Sequence, residues 1–168
     1  MLLQIGTRQG RHACGPSNPT ALQDVFFRIG GAAAGKATVS LEVNSDNTIL
    51  DDVWAWRADH GNGVGWTVNT ADTGVVVNGD RVTAYGLFVE HYQKNEVIWN
   101  GDDGRVVFFQ NEMPYDPPVS LTTFRIPPLP FFGSWKIVSR SCMLPAGRDV
   151  GTSNAFAEKM STPWLKKL

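Results

Sequence analysis

Apolar residues, many of them β-branched or aromatic, concentrate in three stretches of the 168-residue chain, TILDDVWAW (48–56), RVTAYGLFVEH (81–91) and GRVVFFQNEM (104–113). Runs of this composition bounded by turn residues predict strands. Each stretch follows the same turn chemistry: Asn44-Ser-Asp46, Asn78-Gly-Asp80 and Asn100-Gly-Asp102. Such residues favour turns because they tolerate positive φ and hydrogen-bond their own backbone. A fainter copy starts at Asn18 and runs into ALQDVFFRIG (21–30). No apolar period of 3.6 residues persists beyond a single turn, so no helix is expected.

The spacing of the turns predicts the architecture. Asn78 and Asn100 are 22 residues apart, a coil length that suits a parallel β-helix; Asn44 and Asn78 are 34 apart, or 22 plus 12. The glycine-rich ADHGNGVGWTVN (58–69) reads as the inserted loop. Asn18 and Asn44 are 26 apart, or 22 plus 4. The chain is therefore expected to be all-β, a partial right-handed parallel β-helix over residues 18–116. Residues 1–17 read as an N-terminal extension and 117–168, with PPVS, PPLPFF and STPW, as an irregular tail. A β-sandwich is the alternative, but it leaves the repeated offsets unexplained.

Counting from each asparagine separates two faces. Nine residues on stand Phe27, Val53, Leu87 and Phe109, and eleven on stand Ile29, Ala55, Val89 and Asn111; these columns point inward. Asn111 is the misfit there, a candidate for an internal amide ladder. Ten residues on stand Arg28, Trp54, Phe88 and Gln110, and twelve on stand Gly30, Trp56, Glu90 and Glu112, all outward. Glu90 and Glu112 thus fall on adjacent coils at the same position, about 4.8 Å apart along the axis. Neighbouring carboxylates repel, which favours one protonated and one ionised partner. That combination is the equipment of glycoside hydrolysis. Trp54 and Trp56 on the same face offer flat rings to the apolar side of a sugar. The structural alternatives are solvated surface glutamates and tryptophans in the core.

Composition narrows the partners. Fifteen basic and sixteen acidic residues give a net charge of −1, which argues against a nucleic-acid surface. No stretch approaches the roughly 20 apolar residues of a membrane helix, and MLLQIG does not read as a signal peptide. Cys14 and Cys142 form no motif and read as two lone thiols, though a single bridge between them stays open. GGAAAGKAT (30–38) nearly spells a P-loop, but Ala37 stands where the Mg²⁺-binding hydroxyl belongs and a strand-like run follows. His60 and His91, each beside an acidic residue, show no metal-ligand spacing, so neither a metal nor a cofactor is expected.

Longer motifs carry a resemblance. LQDVFFRIGG, WAWRADHGNGVGWTVNTADTG, GLFVEHYQK and VVFFQNEMPYDPP together resemble glycoside hydrolase family 55, in its bacterial exo-β-1,3-glucanase branch, over about residues 17–118. The resemblance implies a secreted enzyme of two right-handed β-helix domains with the active site between them. Such an enzyme cleaves β-1,3-glucans such as laminarin from the non-reducing end, with inversion and no metal. By motif, Glu112 of QNEMPY matches the general acid and Glu90 of FVEHY the residue that positions the attacking water. Trp56 and Asp59 of WAWRADHG match the pocket for the terminal glucose, and Tyr115 is a further candidate there.

The sequence departs from the family pattern in lacking the N-terminal β-helix, the remainder of the second one and a signal peptide. The expectation is an active-site half with weak or no turnover by itself, its glucan partner shared with a missing N-terminal β-helix domain. A non-catalytic glucan-binding module and a non-functional remnant are the rival readings.

Overall fold

The computed structural model describes residues 1–8, 15–118 and the two-residue strand 136–137. Among the described residues nine strands run β1 (Leu3–Ile5), β2 (Thr20–Ile29), β3 (Ala37–Val43), β4 (Thr48–Arg57), β5 (Ala71–Val77), β6 (Thr83–Glu90), β7 (Asn95–Trp99), β8 (Arg105–Glu112) and β9 (Lys136–Ile137). They pair in parallel into two sheets, β1-β3-β5-β7-β9 and β2-β4-β6-β8. Consecutive strands alternate between the sheets, so each coil contributes one strand to each. This is a right-handed parallel β-helix, the architecture that the repeat predicts. Residues 58–70, the inserted loop, join β4 to β5.

The core is the space between the sheets. Leu41, Val75 and Val97 stack on one side, and Val53 and Leu87 on the other, all at most 4 % exposed. Ala55 and Val89 form the next inward column, and both are fully buried. Asn111 pairs with Val89 at the growing end and is half-buried.

The turns that reveal the repeat also bond to one another. Asn78 Nδ2 donates to Asn44 Oδ1 at 2.7 Å, and Asn100 Nδ2 donates to Asn78 Oδ1 at 2.8 Å. This is the amide ladder, located at the turn and not at Asn111. The Asp80 and Asp102 amides donate to the carboxylates of Asp46 and Asp80, each at 2.9 Å. Asn47, Arg81 and Asp103 follow in a left-handed column, with φ of 51°, 56° and 55°. Close stacking explains the glycines here, because a Cβ on Gly79 would lie 2.1 Å from the Ser45 carbonyl oxygen.

Three expectations need correction. The first coil pairs with an offset of 28, not 26: Val25 lies beside Val53, Phe27 beside Ala55 and Arg28 beside Trp56. Asn18 does not head the ladder, because Asn44 Nδ2 reaches instead to the Gly6 carbonyl at a long 3.5 Å. A slip of two keeps every side chain on its face, so Phe27 and Ile29 are buried as expected. Gly30, however, leaves the outer column, and Arg28 takes its place. Finally, the coils extend outside 18–116: β1 pairs with β3 and β9 with β7. Other residues of the expected tail beyond 118 lie outside the described residues, as do Cys14 and Cys142.

A second left-handed column interrupts the β2-β4-β6-β8 sheet. Asp24, Asp52, Gly86 and Phe108 have φ of 51°, 49°, 63° and 63°. They occupy the same place in four successive strands, skipped in every ladder. One extra residue per strand lets two neighbours point outward, as Asp51 and Asp52 do, before alternation resumes at buried Val53.

Candidate functional site

Past this bulge column, the ends of β4, β6 and β8 carry the outward positions. Trp56, Glu90 and Glu112 are direct register partners, and so are Trp54, Phe88 and Gln110. The two glutamates therefore stand side by side on adjacent strands, where the repeat places them.

Each acid has its own support. Trp54 donates from Nε1 to Glu90 Oε2 at 2.9 Å. Trp54 also stacks on Trp56, with centroids 5.2 Å apart and planes 21° apart. Tyr115 donates its hydroxyl to Glu112 Oε2 at 2.5 Å, and Gln110 Nε2 donates to Glu112 Oε1 at 3.3 Å. That phenol is held above its ordinary pKa, first by the bond to Glu112, then by burial and the charges of Glu112, Asp59 and Glu90. It remains a donor over the working range of a protein.

Asp59 joins from the loop after β4. Burial raises its pKa, but the hydrogen bond with His60 and the nearby histidine charges outweigh that, and the net direction is down. His60 Nδ1 lies 2.9 Å from Asp59 Oδ1, and its ring lies 5.1 Å from Trp56. The structure thus brings together Glu90, Glu112, Trp54, Trp56, Asp59 and Tyr115, which the sequence selects from three separate segments.

Sequence reasoning misses two residues at the centre of this cluster. His91 is 2 % exposed and takes φ of 65°, in the left-handed region where histidine is among the enriched non-glycine residues. Its Nδ1 lies 2.9 Å from the Met113 carbonyl, an acceptor, so that nitrogen carries hydrogen. Nε2 then faces two carboxylates at 3.8 Å each, Asp59 and Glu112. The sequence offered His91 only as a metal decoy.

The other is Arg57, wholly buried at the end of β4. It donates to the Asn69 carbonyl at 2.9 Å, to the His91 carbonyl at 3.3 Å, and to both carboxylate oxygens of Asp116 at 2.8 Å. One cation thereby ties the loop, the β6 end and the segment carrying Tyr115. The usable signal was parity, which places position 57 inward with Val53 and Ala55.

Below the site lies Glu96 on β7, buried, with Tyr92 N donating to Oε1 at 3.1 Å and no partner for Oε2 among the described residues. Burial first, and then Glu90, push its pKa up to about 8, against the Tyr92 bond and Arg57, which lower it. Folded protein holds this proton where the unfolded chain, at its ordinary 4.5, has lost it. Stability from this group is thus full below the ordinary value and is lost as pH rises towards about 8. Glu96→Gln keeps an acceptor for Tyr92 and removes the titration. Chemical denaturation is expected to show it stabilising by roughly 3 kcal/mol more at pH 8.5 than at pH 4.5, from ~1.4 kcal/mol per unit discounted for relaxation. Equal effects at both pH values would contradict the assignment.

Comparisons with known proteins agree with this fold. Residues 1–112 match the LAM55 pectate lyase-like domain. The chain is 57 % identical over 119 residues to an exo-β-1,3-glucanase of Streptomyces sp. (strain SirexAA-E / ActE), a match covering 70 % of this chain and 19 % of that enzyme. It is similar to the structure of sacteLam55A from Streptomyces sp. SirexAA-E, at 56 % identity and a TM-score of 0.66. It is also similar to a variant of sacteLam55A solved in complex with glucose, with a TM-score of 0.64. Both alignments cover 68 % of this chain and 21 % of that one, so the chain spans about a fifth of the length of these relatives. A coiled all-β scaffold and a family match over two-thirds of the sequence lead to one assignment: the chain belongs to the LAM55 pectate lyase-like domain family.

Proposed function

We propose that the chain supplies the acid-bearing half of an exo-acting, inverting β-1,3-glucanase site that works outside the cell on laminarin-type glucan. The observation that carries the reading is the paired Glu90 and Glu112, each held by its own aromatic donor. Glu112 is the general acid, protonating the leaving oxygen. Glu90 positions the water that attacks the anomeric carbon from the other face. Trp56, Asp59 and Tyr115 receive the terminal glucose, with Trp54 fixing Glu90 and stacking behind Trp56. His91 lies between Asp59 and Glu112, its Nε2 3.8 Å from each carboxylate.

Turnover by this chain alone is expected to be slow, because the water needs contacts on both sides to be aligned. An N-terminal β-helix domain, which the family resemblance implies, supplies those contacts. The test is incubation of the purified chain with laminari-oligosaccharides, following glucose by anomer-resolved NMR. Slow release of glucose that appears first as the α-anomer is expected, together with measurable oligosaccharide binding. Release of the β-anomer first, or no binding of any laminari-oligosaccharide, would overturn the reading.

A further inference from the structure

The loop after β4 is tied down from within. Asn69, wholly buried, donates from Nδ2 to the carbonyls of Ile29 at 2.9 Å and Ala58 at 2.7 Å, and its Oδ1 accepts from the Gly65 amide at 2.9 Å. The Ala58 amide donates to the Ile29 carbonyl at 3.0 Å, and that of Gly63 to the Gly31 carbonyl at 3.3 Å. None of these bonds uses the side chain of His60.

That side chain is 77 % exposed, so it buries little apolar surface, yet it makes two defined contacts. Its Nδ1 lies 2.9 Å from Asp59 Oδ1, and its ring packs against Trp56 at 5.1 Å with planes 49° apart. Exposed pairs of this kind contribute little to stability. Both contacts go instead to residues that the proposed function assigns to the terminal glucose.

The chemistry of the pair fixes its direction. Burial disfavours the Asp59 charge, but the hydrogen bond with His60 leads the effects that outweigh it, and the carboxyl stays below its ordinary pKa. An ionised carboxylate only accepts, so the Nδ1 of His60 carries the hydrogen. From inside the fold, His91 Nε2 stands 3.8 Å from the same oxygen, Oδ1. Two imidazoles therefore address one oxygen of Asp59, and neither engages Oδ2. With 22 % of its side chain open to solvent, the carboxylate can offer that second oxygen to a hydroxyl donor, in a charge-assisted bond that depends on its orientation.

We propose that His60 is a positioning residue for the terminal-glucose pocket: its Nδ1–H fixes the Asp59 carboxylate so that Oδ2 meets a sugar hydroxyl. The proposal rests on the reading of Asp59 as part of that pocket. Calorimetric titration of the full chain with glucose tests it, comparing wild type, His60→Ala and His60→Asn. His60→Ala is expected to weaken glucose binding about tenfold while the unfolding midpoint stays unchanged. His60→Asn, whose amide nitrogen stands where Nδ1 does, should recover most of the affinity. Long-range proton–nitrogen NMR spectra of the neutral ring should show the hydrogen on Nδ1 in the wild type. In Asp59→Ala it should move to Nε2, the form that free imidazole side chains favour.

Unchanged glucose affinity in His60→Ala, or a wild-type ring with its hydrogen on Nε2, would overturn the proposal. So would a loss that asparagine fails to recover, which would assign the effect to the ring on Trp56. If the wild type binds no glucose, the reading of the terminal-glucose site falls and this proposal with it. Glucose binding that is insensitive to His60 sinks the proposal alone, which separates the two failures.

Discussion

Replacing Glu112 with glutamine is expected to lower glucose release from laminari-oligosaccharides by about 10²–10⁴-fold, the range a general acid contributes. Oligosaccharide affinity should change little. The amide has the same shape as the acid, and its carbonyl oxygen still accepts from Tyr115, which donates to Glu112 in the structure. It cannot give up a proton to the leaving oxygen. A β-glucoside whose leaving group is too weakly basic to need protonation should therefore lose far less rate than the natural glucan. Rate measurements on both substrates, with calorimetric affinities for the variant, decide the matter. Unchanged release by Glu112→Gln would remove Glu112 from the acid role, and equal losses on both substrates would make it a binding residue.

The repeat was legible because its marker residues touch. Asn44, Asn78 and Asn100 bond in a ladder, so their spacing measures the coils directly. Asn18 has no such bond to Asn44, since Gly6 faces it, and the first coil was accordingly misregistered by two. The faces survived because side chains alternate with that same period. Strands of three and two residues, such as β1 and β9, are too short to display any period. The bulge column was hidden for another reason. Asp and Gly are compatible with left-handed backbone without requiring it, and Phe108 does not announce it at all.

The candidate site was legible in its outward members and opaque in its buried ones. Glu90, Glu112, Trp54 and Trp56 fall out of parity alone, and Asp59 and Tyr115 come from the family motif. His91 and Arg57 act through bonds to chain segments distant in sequence, such as Asp116, 59 positions beyond Arg57. A pattern of nearest neighbours along strands does not carry that information. Yet both bond to the segment after β8, His91 at the Met113 carbonyl and Arg57 at Asp116.

Arg57→Met is for that reason expected to be the most destabilising single change in the described residues, at about 3–5 kcal/mol, measured from urea midpoints. Methionine fills much of the volume but donates nothing. The Asn69 and His91 carbonyls would be left without a donor, and Asp116 without its cation. Trp66, whose ring centroid lies 5.4 Å from the guanidinium carbon, loses its contact as well. Arg57→Lys should recover only part of the loss, because an ammonium cannot reproduce the two-pronged bond to Asp116.

Acid titration supplies an independent check on the cause. Asp116 has its pKa lowered, first by the hydrogen bonds from Arg57, then against a smaller effect of burial. A depressed carboxylate stabilises the fold above its unfolded pKa, about 3.9, and that contribution is lost as pH falls through the folded value. Wild-type protein should show this loss below about pH 4, and Arg57→Met should lack it. Because Tyr115 precedes Asp116 in the chain, release of the ion pair frees the donor that holds Glu112. The variant should consequently lose glucan turnover even at temperatures where its coils remain folded. Retention of full turnover there would show that the segment after β8 stays in place without Arg57.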